Sequence, residues 1–125
     1  MLKDNLNNQW IGSVSHGTLR NIDLLESYIN LSKCIRNKVN LKPYYKERLT
    51  RLAFESKQLI NNLTERELEN SEEAIYLINE DWFYLYNEIA PENCYFGTSE
   101  GDGSDIGFWP DWDNLTEEEI LNIIE

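Results

Sequence analysis

At 125 residues, with 41% hydrophobic content and a net charge of −12, the chain is sized for a single domain, 1–125, whose core buries roughly two-thirds of the unfolded surface. The charge disfavours direct contact with nucleic acid, whose phosphates it repels, and no run approaches the ~18 apolar residues needed to cross a bilayer. Cys34 and Cys94 are too few for a disulfide framework or a structural zinc site, and the polar start from Met1 to Gln9 lacks a secretory stretch, so reduced thiols in a cytoplasm are expected.

Trp10 to Gly17 reads as a short extended piece and a turn, with Gly12 and Gly17 marking sharp bends or close approaches of the backbone. A helix follows, capped by Thr18 or Asn21. It places Leu25, Tyr28, Ser32 and Ile35 on one face, flanked by Leu24, Leu31 and Cys34, and ends near Asn37 to Asn40. A second helix starts around Pro43. Its apolar stripe is Tyr45, Leu49, Leu52, Ala53, Leu59, Ile60 and Leu63, opposite Lys42, Lys46, Arg48, Arg51 and Lys57.

Thr64 and Glu67 have the spacing of a capping box. A third helix, from about Ser71 to Ile89, buries Ala74, Ile78, Leu85 and Ile89 with Leu77 and Trp82 adjacent, and Pro91 stops it. From Cys94 to Trp109 two aromatic stretches flank a Gly-Asp-Gly-Ser turn, the pattern of a β-hairpin. A lone hairpin is marginal, so it must pack on the helices or pair with the Trp10–Val14 piece. A last helix spans about Thr116 to Ile124, with Thr116 and Glu119 as a capping box and Leu115 and Ile120 as a hydrophobic staple. The expected fold is α+β: three main helices packed on a small antiparallel hairpin or sheet, with a short C-terminal helix.

Charge is unevenly spread. Residues 1–63 hold ten of the eleven Lys and Arg and five Asp and Glu, a net of +5; residues 64–125 hold Arg66 against eighteen acids, a net of −17. Either the basic half neutralises the acidic half within the fold, or an acidic face points outward at a basic partner. Glu100, Asp102, Asp105 and Asp111 lie among four glycines and beside Tyr95, Phe108, Trp109 and Trp112. Aromatic anchors next to acids are common at protein interfaces. The expected partner-binding residues are therefore Glu100, Asp102, Asp105, Phe108, Trp109, Asp111 and Trp112, with Tyr95 and His16 as ligand-binding candidates.

Glu100, Asp102 and Ser104 follow the alternation of a calcium loop, but Asp105 stands where that loop needs glycine and Asp111 replaces its closing glutamate. No metal and no cofactor is expected. His16 is the only histidine, and no nucleophile elbow or phosphate-cradling loop is present. If acid–base chemistry exists, His16 with Asp102 or Asp105 is the set that can supply it.

Pro91-Glu92-Asn93-Cys94-Tyr95-Phe96-Gly97, running into Glu100-Gly101-Asp102-Gly103-Ser104-Asp105-Ile106-Gly107-Phe108-Trp109, together with Ser15-His16-Gly17-Thr18 and Asp23-Leu24-Leu25, resembles small uncharacterised acidic proteins of bacterial phages and plasmids. In those a Phe-Gly-x-x-Glu-Gly-Asp-Gly-Ser-Asp-x-Gly-Phe-Trp tract closes a helical N-terminal part. The resemblance implies a mobile element acting in the bacterial host cytoplasm, where small acidic proteins often block host defence machinery. The expected function is a non-catalytic inhibitor of anti-CRISPR or anti-restriction type whose acids occupy a basic surface of a host protein, with no membrane and with a homodimer left open. The alternatives are a module binding a nucleotide-like ligand between aromatic hairpin and basic helix, and a small acid–base or metal-assisted hydrolase.

Overall fold

The computed structural model describes the backbone of residues 2–124 and the side chains of residues 2–119 and 121. Its fold is α+β. α1 (Asn21–Lys38) buries Leu24, Leu25, Tyr28, Ser32 and Ile35, which recur at three- and four-residue intervals and so share one face. α2 (Pro43–Asn62) buries Leu49, Leu52, Ala53 and Ser56. The Thr64 capping box forms and opens a single-turn helix, α3 (Glu65–Glu69). The Thr64 hydroxyl accepts from the Glu67 N–H at 3.1 Å, and the Glu67 carboxylate accepts from the Thr64 N–H at 2.9 Å.

The third long stretch joins α4 (Glu72–Tyr76), a π-helical segment (Leu77–Asp81) and α5 (Trp82–Ile89). Ser71 caps it by accepting from the Ala74 N–H. The wider π turn shifts the phase of the stripe, so Leu77 and Trp82, expected beside the buried face, lie in it together with Tyr86. Trp82 and Tyr86 stack with centroids 5.2 Å apart, and Tyr28, Phe96 and Phe108 close around Tyr86; each such pair contributes ~0.5–1.5 kcal/mol beyond its buried area. The buried polar atoms are paired. Trp82 Nε1 donates to Ser56 Oγ at 2.9 Å, the Tyr86 hydroxyl to the Tyr28 carbonyl at 2.6 Å, and Ser32 Oγ to the Leu49 carbonyl at 3.2 Å. Those bonds explain why two serines sit in the core.

The sheet is antiparallel, with β1 (Gly12–Ser15), β2 (Cys94–Ser99) and β3 (Asp102–Pro110) in the order β1-β3-β2. The hairpin thus pairs with the N-terminal extended piece. Gly107 faces Ser13 on β1, and a Cβ on it would fall 2.0 Å from the Gly12 carbonyl oxygen; only glycine permits that approach. The turn lies at Glu100-Gly101, ahead of the expected Gly101–Ser104. Ser99 faces Asp102 while Thr98 faces Ile106, leaving Gly103, Ser104 and Asp105 as a bulge. Asp102 Oδ1 causes it by accepting from Ser104 N at 2.9 Å and Ser104 Oγ at 2.8 Å, a local turn inside β3. α5 covers the outer edge of β2: the Asn87 amide donates to the Phe96 carbonyl and accepts from the Phe96 N–H, each at 3.0 Å.

Neither Thr18 nor Asn21 caps α1 as expected. The Thr18 hydroxyl donates to Asp23 at 2.6 Å, and the carboxylate that accepts from the Asn21 N–H is Glu69 of α3. A cap brought from another helix does the work of a local one. The N-terminal segment is packed: Leu6 is buried and its N–H donates to the Ile89 carbonyl at 2.8 Å. At the other end the Thr116–Glu119 box forms at the start of α6 (Glu117–Ile124). The expected Leu115–Ile120 staple falls outside the described side chains. Cys34 and Cys94 are unbridged, and no described helix is long and apolar enough to cross a membrane.

Candidate acidic and aromatic surface

Alternation along β2 and β3 separates two faces. Phe96, Ile106 and Phe108 turn into the core, while Tyr95, Gly97, Gly107 and Trp109 lie on the outer side. Phe108 is fully buried and packs 5.1 Å from Phe96. Its expected place on a partner-binding surface is therefore corrected: its strand parity puts it with the core. Tyr95 and Trp109 face each other across the hairpin and are half-buried. The Tyr95 hydroxyl donates to the Thr98 carbonyl at 2.8 Å and Trp109 Nε1 to the Gly97 carbonyl at 3.0 Å. Gly97 makes room beside them: a Cβ there would lie 3.5 Å from the Tyr95 ring and 3.7 Å from that of Phe83.

The remaining predicted residues divide between the two ends of the hairpin. At the tip, the bulge carries Asp102 and Asp105 toward the turn after β1. His16 Nε2 is 3.7 Å from Asp102 Oδ2 and His16 Nδ1 is 3.9 Å from Asp105 Oδ2, with the imidazole 65% exposed. Ser13 Oγ donates to Asp105 Oδ1, and the Gly17 N–H to the Ser104 carbonyl at 3.2 Å. The Ser104 N–H holds the Asp102 carboxyl below the usual carboxylate range, the Ser104 hydroxyl and His16 adding to the effect. At the base, the Asp111 N–H donates to the Asn93 carbonyl at 2.9 Å, and Trp112 is 42% exposed. Tyr95 and His16, expected to share a ligand, lie apart: Tyr95 is on β2 opposite Trp109, whereas His16 follows β1 on the far side of β3, beside Asp102 and Asp105.

Sequence reasoning overlooked Phe83, Tyr84 and Tyr76, which are 40%, 63% and 59% exposed on the outward side of the third helical stretch. Tyr76, Glu80 and Tyr84 recur every four residues, off the buried stripe, and that spacing is the signal that marks them. Glu80 beside the Tyr84 hydroxyl, which donates a hydrogen bond to it, raises the phenol above its ordinary value. Burial and the nearby Glu100 and Asp111 carboxylates raise Tyr95.

Ion pairing separates the acids of the two halves. The lysine and arginine pairs join Arg20 with Asp23 and Glu65, Lys42 with Asp4, and Arg51 with Glu47. Among the described residues, Glu65 is thus the one carboxylate from position 64 onward with a lysine or arginine nitrogen within 4.0 Å. Most of the others are exposed. A cavity of about 590 Å³ between α2 and α4 is lined by Glu55, Gln58, Glu72, Glu73, Tyr76 and Asp81, without a lysine or arginine. No group of three or more described His, Cys, Asp or Glu is placed to hold a metal ion. No family model, no curated protein and no solved structure matches the chain.

Proposed function

We propose that this protein is a non-catalytic binding protein whose acidic surface occupies a basic surface of another protein, as an inhibitor of a host defence system of anti-CRISPR or anti-restriction type encoded by a phage or other mobile element. The observation that carries the reading is sparse internal compensation: eighteen acids follow residue 63, and among those described Glu65 alone lies within 4.0 Å of a lysine or arginine nitrogen, with Glu69 and Asp81 in the longer-range fields of Arg20 and Arg48. Uncompensated charge raises encounter rates with a basic surface and rejects acidic ones. The nucleotide-like alternative has one observation in its favour, a cleft in which Trp10 lies with Lys3 and Lys38, although that cleft joins the N-terminal segment to the end of α1 and holds no hairpin residue.

The hydrolase alternative has one observation in its favour, the approach of His16 to Asp102 and Asp105. Both carboxylates, however, already accept hydrogen bonds from Ser104 and Ser13, which accounts for their placement as a clasp between the hairpin tip and β1. The test is capture of bacterial lysate proteins on the intact chain, followed by a nucleic-acid-binding assay of the captured protein. The triple variant Glu100→Gln, Asp102→Asn, Asp105→Asn is expected to capture less at an unchanged melting temperature, and salt is expected to release the partner. Unchanged capture with a collapsed melting temperature refutes a binding role for the tract.

A further inference from the structure

The outward side of the third helical stretch is an unpartnered helix face, and it is continuous with the outer face of the sheet. Tyr76 and Tyr84 flank Glu80. The Tyr84 and Phe83 rings lie 6.1 Å apart, the Phe83 and Tyr95 rings both border Gly97, where a Cβ would lie 3.7 and 3.5 Å from them, and Trp109 is tied to the same glycine by its indole N–H. Five rings are thus spread from α4, through Phe83 and Tyr84 on α5, to Tyr95 and Trp109 on the paired strands. Carboxylates lie among them: Glu80 beside Tyr84, and Glu100 and Asp111 near Tyr95. The sequence has no lysine or arginine after Arg66, so each of these rings sits in a part of the chain without its own basic side chains.

We infer that this ridge is the docking surface for an arginine-bearing segment of a basic protein partner. Charge complementarity selects a cation. The rings select arginine over lysine, because a planar, weakly hydrated guanidinium stacks on an aromatic face while pairing with a neighbouring carboxylate, whereas an ammonium keeps its water. A second copy packed ridge to ridge would bring carboxylates against carboxylates, and nucleic acid or an anionic membrane would be repelled in the same way. The inference rests on the acidic-surface reading above and adds to it a location and a partner chemistry.

The test titrates the intact protein with octa-arginine and, separately, octa-lysine at 150 mM salt. It follows tryptophan fluorescence and amide chemical shifts, with sedimentation velocity on the free protein. Octa-arginine is expected to bind about fivefold more tightly than octa-lysine, with shifts centred on residues 76–84 and on Tyr95 and Trp109. Phe83→Ala with Tyr84→Ala should erase the difference without moving the melting temperature; Tyr76→Gln with Tyr84→Gln, which changes two largely exposed side chains, serves if the first pair unfolds. Equal affinities that ignore loss of the rings overturn the ridge while leaving the acidic surface standing. Absence of binding to either peptide even at 20 mM salt overturns both. A dimer that the Tyr84 variants dissociate assigns the ridge to a second copy and overturns the inference.

Discussion

In residues 1–63 three of the five carboxylates meet a cation of the same half: Lys42 lies 2.8 Å from Asp4, Arg51 2.8 Å from Glu47 and Arg20 2.9 Å from Asp23. In residues 64–125 Glu65 meets Arg20, while five other carboxylates meet hydrogen-bond donors that carry no charge. Glu67 accepts from the Thr64 N–H, Glu69 from the Asn21 N–H, Asp102 from Ser104, Asp105 from Ser13 and Glu119 from the Thr116 N–H. Both arrangements hold a side chain in place, but only the first cancels its field. A carboxylate used as a cap has its lone pairs satisfied and keeps its charge. Apart from Glu65, paired with Arg20, and Asp81, in the field of Arg48, the latter half folds around its acids with little neutralisation, which is what an outward-facing acidic surface requires.

The comparison breaks most completely where the halves are joined. Trp82 on α5 donates to Ser56 on α2 and stacks on Tyr86. Trp82→Ala should cost ~3–5 kcal/mol, a large part of the ~5–15 kcal/mol that holds such a domain folded. Urea denaturation measures it, and a cost below ~1 kcal/mol would mean that the aromatic core does not bind the two halves together.

A smaller effect comes from pH. Burial pushes Tyr28 up to about 12 and Cys94 up to about 11, and raises Tyr86 in the same direction. In the unfolded chain these groups lose their protons near 9 to 10, about where isolated thiols and phenols titrate. The folded state keeps the protons longer, so its stability is whole below that window and falls as pH rises through it toward 12, by on the order of 2 kcal/mol for Tyr28. Melting curves from pH 8 to 11 read this directly. A flat profile contradicts the burial of these groups at the seam between the halves.

The smallest effects sharpen the contrast itself. Thr64→Ala removes a cap and should cost ~1 kcal/mol, whereas the exposed Glu47–Arg51 pair should couple by only ~0.3–0.5 kcal/mol in a double-mutant cycle. High salt should weaken the second and leave the first nearly unchanged. Equal values and equal salt dependence would erase the distinction between capped and paired carboxylates.

Much of this was legible because it is local. The stripe Leu25, Tyr28, Ser32 and Ile35, the start at Pro43, the boxes Thr64–Glu67 and Thr116–Glu119 and the stop before Pro91 each depend on a few neighbouring residues. The candidate surface was less legible. Phe108 reads as an exposed aromatic beside acids until strand parity places it inside. Phe83 reads as an ordinary helix residue until the structure sets it beside Gly97 with Tyr95, and Tyr84 follows it by ring contact. The cap on α1 was misplaced because Glu69 arrives from another helix.

From the order of residues alone came the α+β class, the three long helices, the hairpin, and the concentration of acid after residue 63; whether the hairpin paired with the Trp10–Val14 piece was left to the fold. These follow from periodicity, capping chemistry and composition, which act over a few residues or over simple counts. The tertiary structure decided which aromatic rings face water, which carboxylates meet a cation and how the tip of the hairpin clasps His16. Those outcomes turn on strand parity, a bulge and a π turn, where a shift of one residue moves a side chain from one face to the other.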